Sequence, residues 1–261
     1  MFKKIFILFK IANKLAKSDA FDIVSKIHQP PFPVKVFFKI FSFFNKKKIE
    51  PNTTEEERLC NSLQEMGTTF IKLGQFLATR PDIIGNDVAN HLEKLQDKLP
   101  PFEMREALNI LEKELGENYK KISNLSEPIA AASIAQVHFA NIKVENKSTE
   151  VAIKVLRPNI EKIFNEELDA LMLLAYIIEN LISKTKRLKL VEIVQLLREI
   201  TNIEMDLRFE AAAANELYEN TKNDVTFKVP KIYWKYTSKK VLCLDKVEGI
   251  SIREIENLKS L

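Results

Sequence analysis

The chain has 261 residues, 46% hydrophobic and 29% charged, enough for one substantial core or two modest ones and unlike a disordered or fibrous composition. Its formal net charge of +4 is uneven: residues 1–50 hold eleven lysines against Asp19, Asp22 and Glu50, a local net of +8 that leaves about −4 for the rest. Any preference for an acidic surface therefore belongs to the N-terminus, and no nucleic-acid partner is expected. Cys60 and Cys243 stand far apart, which excludes a disulfide framework and a zinc spacing and points to a reducing, cytosolic setting. His28, His91 and His138 occur singly, so no metal site is assigned.

The start, MFKKIFILFKIANKLAK, has a basic flank and an apolar stretch, but Lys10, Lys14 and Lys17 interrupt it and no cleavage site follows, which argues against a secretory signal. Phe2, Ile5, Phe9 and Ala12, with Leu8, Ile11 and Leu15 alongside, fall at helical spacing and predict an amphipathic helix. A helix packed on the rest of the protein with its lysines in solvent fits the same pattern. After Pro30, Pro31 and Pro33, the segment from Phe32 to Lys48 repeats the basic-aromatic texture. Two such segments in tandem favour an anionic membrane surface. No run reaches the roughly 20 apolar residues a spanning helix needs.

From Thr54 the pattern becomes a regular amphipathic helix whose stripe is Leu63, Met66, Phe70, Leu73 and Leu77, with Glu65, Thr68, Lys72, Gln75 and Thr79 opposite. Further helices are predicted over Asn86–Lys98, stopped by Pro100 and Pro101, and over Glu103–Leu115, stopped by Gly116. The period then changes. PIAAASIAQVH, FANIKV, a polar turn at Glu145–Thr149 and EVAIKVL predict a small antiparallel sheet, Val151, Ile153 and Val155 alternating with Ala152, Lys154 and Leu156. Two long helices, Ile160–Ile182 and Leu190–Asn220, precede strands in VPKIYWKY and KVLCLDKV.

This order of strands, V-A-I-K lysine and acidic helix is the order of a protein-kinase small lobe, in which the lysine holds the α- and β-phosphates and pairs with a glutamate of a helix. The glycine-rich loop is replaced by Ala130, Ala131, Ala132 and Ser133. Together with Lys72, Gly74 and Gln75 in FIKLGQFL, VAIKVLRP, and Glu204 and Asp206 in EMDLRFEAAAAN, these motifs resemble the UbiB family of atypical kinases, over nearly all of residues 55–250. Alanine resists positive φ, so such a loop is stiffer than a glycine loop.

The resemblance implies an α+β fold in three parts: basic helices at a membrane over residues 1–50, a helical extension with the KxGQ motif over 51–120, and a kinase-like small lobe over 121–261. It implies ATP binding by Ile129, Ala130, Ala131, Ala132, Ser133, Ile134, Ala135, Gln136 and Val137 with Lys154 and its partner Glu210, and backbone contacts to adenine near Asp245–Val247. Lys72, Gly74, Gln75, Glu204 and Asp206 would form a regulatory set, with the KxGQ helix lying over the place where a kinase holds its peptide. An ordinary charged helix is the plain alternative for Glu204, Asp206 and Glu210. The implied setting is peripheral on the cytoplasmic face of the inner membrane, with quinone-biosynthesis proteins as partners.

Neither a catalytic-loop pattern nor a DFG appears in these residues, so no catalytic residue is assigned and the large lobe is expected to be absent. Mg²⁺ would then depend on a large lobe, if need be in a separate chain. The rival function is a non-enzymatic nucleotide- or lipid-binding module.

Overall fold

The computed structural model describes residues 2–17, 54–93, 95, 99–145, 147–181, 183–250, 252, 254 and 258–259. The phenylalanine-rich segment over 32–48 and the prolines before it lie outside the described residues. In chain order the helices are α1 (Phe2–Lys17), α2 (Glu55–Met66), α3 (Thr68–Ala78), α4 (Pro81–Ile84), α5 (Asn86–Leu92), α6 (Met104–Leu115), α7 (Ile160–Leu181), α8 (Leu190–Glu204) and α9 (Leu207–Thr221). The strands are β1 (Ile122–Ser123), β2 (Ala130–Ala131), β3 (Ala135–Val144), β4 (Lys147–Leu156) and β5 (Val241–Asp245). The chain divides into two compact units, Met1–Leu99 with Asn159–Asn202, and Pro100–Pro158 with Ile203–Leu261, the second holding all five strands.

The first unit is helical. A capping box starts α2: the Thr54 backbone N–H donates to Glu57 Oε2 at 3.0 Å, and the Glu57 N–H donates to Thr54 Oγ1 at 3.2 Å. The single helix expected beyond Thr54 is two, because Gly67 takes φ of 102°, which other residues avoid. The break changes which face of α3 is buried. Phe70, Ile71, Gly74 and Ala78 form that face, Leu73 and Leu77 are only half-buried, and Thr68 is buried instead of exposed. Helices α7 and α8 are tied by Arg198 to Asp169 at 2.8 Å and by the Val191 N–H to Glu179 Oε1 at 3.0 Å. Helix α1 packs along α7 and buries Ile11, leaving Ile5, Phe6 and Phe9 exposed.

The second unit is a five-stranded antiparallel sheet in the order β1-β3-β4-β5, with β2 also paired to β3. One face carries Ala140, Ile142, Val151, Ile153, Val155, Val241 and Cys243, and is covered by Leu111 and Leu115 of α6 and by Tyr236. Burial pushes the Cys243 thiol up to about 12. The expected turn over Glu145–Thr149 is tighter: Lys147, Ser148 and Thr149 already pair with Val144, Lys143 and Ile142, and Glu145 takes φ of 47°. The expected strand VPKIYWKY reduces to one bridge, Ile232 to Leu244, followed by a 3₁₀ turn over Trp234–Tyr236. The side chain of Asp245 competes for that segment, accepting from Tyr233 Oη at 2.6 Å and from the Lys231 N–H at 3.2 Å.

Candidate functional site

Period-2 alternation in β4 sends Val151, Ile153 and Val155 into the core and Lys154 to the other face. Lys154 pairs in register with Val137 of β3 and Leu242 of β5, so these three side chains lie in one row. Its Nζ donates to both oxygens of Glu210, at 2.7 and 3.0 Å. The start of α9 explains how Glu210 arrives there. The Leu207 N–H donates to the Lys239 carbonyl at 2.9 Å, and the next residues, Lys240 to Leu242, bind β4 through Leu156 and Lys154. The segment that pairs with the lysine strand thus also fixes the helix carrying its partner. The pair is partly open to solvent, the side chains being 24% and 50% exposed, so its own contribution to stability is at most about 1 kcal/mol.

The alanine-rich loop is a hairpin tip. Ala130 and Ala131 pair with Val137 and Gln136, the Ala132 N–H donates to the Ala135 carbonyl at 2.7 Å, and no residue from 129 to 135 has positive φ. That backbone suits alanine, which loses nothing against glycine there. Register places Ala130 and Val137 on the Lys154 face and Ala131 and Gln136 on the core face. Gln136 is fully buried, accepting from the Phe102 N–H at Oε1 (2.9 Å) and facing His138 Nε2 at 3.0 Å. His138 Nδ1 meets the Ser126 carbonyl at 2.8 Å, so the chain of bonds fits the Nδ1–H tautomer. Of the residues expected around a nucleotide, Val137, Lys154, Glu210 and the loop backbone come together, while the Gln136 amide is committed to the interior.

Lys72 and Gln75 are half-buried on α3 in the first unit. Gly74 is buried between them, and a Cβ there would run into Leu95 Cδ1 and come within 3.0 Å of Leu63 Cδ1, so the glycine of this motif serves close helix packing.

Glu204 and Asp206 belong to the second unit, and the long helix expected over Leu190–Asn220 breaks between them. Asp206 leaves helical geometry, with φ of −121° and ψ of 95°, and becomes the N-cap of α9. Its Oδ1 accepts from the Arg208 N–H at 3.1 Å, and its two oxygens meet the Arg208 guanidinium at 2.7 and 2.9 Å. The bond to Arg208 holds the Asp206 carboxyl below the usual range, against burial acting the other way. The cap contribution is therefore complete above the unfolded-state value of about 3.9 and lost as pH falls through the lower folded-state value. Asp206→Ala should lower stability by about 1 kcal/mol at pH 7, a difference that shrinks as pH falls below the unfolded-state value. Urea unfolding from pH 7 downward checks this, and a difference that does not shrink on acidification contradicts it.

A family model described as the ABC1 atypical kinase-like domain matches residues 94–261. The chain belongs to that family. It is 37% identical over 240 residues to the "Probable protein kinase UbiB" of Marinobacter nauticus, 91% of this chain and 43% of that protein. Against the protein of the same name from Pseudomonas aeruginosa strain PAO1 it is 38% identical over 216 residues, 82% of this chain and 40% of the relative. The Pseudomonas fluorescens protein is 32% identical over 257 residues, 96% and 47% of the two chains. The chain thus spans less than half the length of these curated relatives, and the UbiB resemblance of its motifs stands. The matched residues, 94–261, contain the antiparallel sheet with its helices.

Sequence reasoning assigned no role to Arg157, which lies just beyond β4. Its Nε and Nη2 donate to the Ala132 carbonyl at 3.1 and 2.9 Å, and Nη2 donates to the Pro100 carbonyl at 2.9 Å. The only signal was its place in VAIKVLRP, since carbonyl acceptors leave no mark in a sequence.

Proposed function

We propose that this chain is the nucleotide-binding part of a UbiB-like atypical kinase or ATPase that supports ubiquinone biosynthesis at a membrane surface. The observation that carries the reading is Lys154, on the third strand of the β2–β3–β4 order, gripped by Glu210 through both carboxylate oxygens. ATP phosphates would meet Lys154 and the backbone of residues 130–133, beside Val137. Regulatory roles for Lys72, Gly74, Gln75, Glu204 and Asp206 belong to the same proposal and rest on their motifs; for Asp206 capping of α9 is the competing role.

Phosphoryl transfer depends on positioning and charge stabilisation, and kinases draw their metal ligands and the aspartate that orients the nucleophile from the large lobe. Among the described residues no group of three or more His, Cys, Asp or Glu side chains is placed to hold a metal ion. As the family resemblance implies, Mg²⁺ would be held by a large lobe, in the same polypeptide or in a separate chain. This chain is expected to bind ATP weakly without turning it over. Titration calorimetry together with phosphate release, with Lys154→Ala as control, tests the proposal. Heat of binding with no release is expected; robust release abolished by the substitution would mean that these residues supply their own catalytic acid.

No helix among the described residues is long and apolar enough to cross a membrane. Ile5, Phe6 and Phe9, exposed on a lysine-rich helix, support a peripheral attachment and also favour the rival reading of a lipid-binding module.

A further inference from the structure

We propose that Arg157 is the positioning residue of the alanine-rich loop, holding the loop in the conformation that meets a bound nucleotide; this rests on the nucleotide reading above. Two donors of one guanidinium converge on the Ala132 carbonyl, and the Arg157 backbone N–H donates to the Ile134 carbonyl at 2.8 Å. Arg157 therefore grips both sides of the hairpin tip. A trans peptide is planar, so fixing the Ala132 carbonyl toward Arg157 fixes the plane of the Ala132–Ser133 peptide, at a tip where Ser133 itself is fully buried. A loop of alanines is limited in the conformations it can reach, and this contact selects one of them.

The far end of the grip is itself anchored. Arg157 Nη2 holds the Pro100 carbonyl, whose residue is followed by Pro101, and the guanidinium lies 5.8 Å from the centre of the Phe102 ring. Phe102 is anchored by Gln136, and Gln136 by His138. Burial lowers the proton affinity of Arg157, and among the described residues its partners are two carbonyl oxygens and one ring, with no carboxylate. A cation kept partly out of water against neutral acceptors serves geometry, since charge neutralisation would have called for an acid.

The test compares ATP and ADP titrations of the wild-type chain with Arg157→Ala, Arg157→Lys and Lys154→Ala, alongside amide exchange of the loop. Arg157→Ala should weaken ATP about tenfold, equal to about 1.4 kcal/mol, change the ATP-to-ADP ratio, and speed exchange at residues 130–134 while β4 stays protected. Arg157→Lys keeps the charge but lacks the fork, and should remain within about threefold of Arg157→Ala. Full recovery by lysine overturns the role of the fork. ATP binding that is lost in Lys154→Ala but kept in Arg157→Ala overturns the positioning role alone, whereas no binding by the wild type overturns the nucleotide reading with it. If Arg157→Ala loses β4 protection, Arg157→Lys decides: loop exchange equal to wild type then refutes the proposal.

Discussion

Lys154→Ala is expected to weaken ATP binding by one to two orders of magnitude, on the order of 1.5–3 kcal/mol, the range for hydrogen bonds that involve a charged group. Two effects add. The substitution removes the cation proposed to meet the phosphates, and it leaves the Glu210 carboxylate, now without the ammonium 2.7 Å away, facing the same anionic ligand. Glu210→Ala should therefore do less harm than Lys154→Ala, and the double variant should bind better than Lys154→Ala alone. The partial exposure of the pair keeps the loss of fold stability small, so thermal unfolding of the variant should stay close to wild type. Titration calorimetry giving equal affinities for wild type and Lys154→Ala would remove Lys154 from the site.

The strand that carries this lysine was legible because alternation is a local property: Val151, Ile153 and Val155 announce their buried face without knowledge of what covers it. The partner was legible only through family resemblance. Nothing local in the sequence brings Glu210 to Lys154; the Leu207–Lys239 bond and the β4–β5 register do so across long stretches of chain. Helix breaks were lost for the opposite reason. Gly67 and Asp206 each interrupt a sound helical period, and periodicity across one residue looks the same whether the chain continues or turns. Gly67 takes a left-handed φ, and at Asp206 a side chain outcompetes the helix for a backbone N–H. Gln136 shows a further limit, since a polar residue beside a proposed loop reads as a ligand until its strand register turns it inward.

Removing residues 1–50 is expected to abolish flotation with anionic vesicles, and the reason lies in how α1 is divided. Ile11 is 6% exposed on a helix that packs on α7 and α2, whereas Ile5, Phe6 and Phe9 are 49%, 70% and 55% exposed. Packing therefore accounts for one edge of the helix and leaves another apolar edge in water beside lysines. Such an edge gains from burial at an interface, and each lysine near an anionic surface adds about 1 kcal/mol. The lysine part must fall with salt because the surface potential is screened within about 10 Å at 0.1 M. The apolar part must not. Replacing Ile5 and Phe6 by glutamate should thus weaken flotation most at high salt, where the lysine part is screened, and circular dichroism should show the fold intact. Flotation unchanged by both the deletion and the double replacement would return α1 to a purely internal role, with Ile5, Phe6 and Phe9 left exposed for some reason other than a lipid surface.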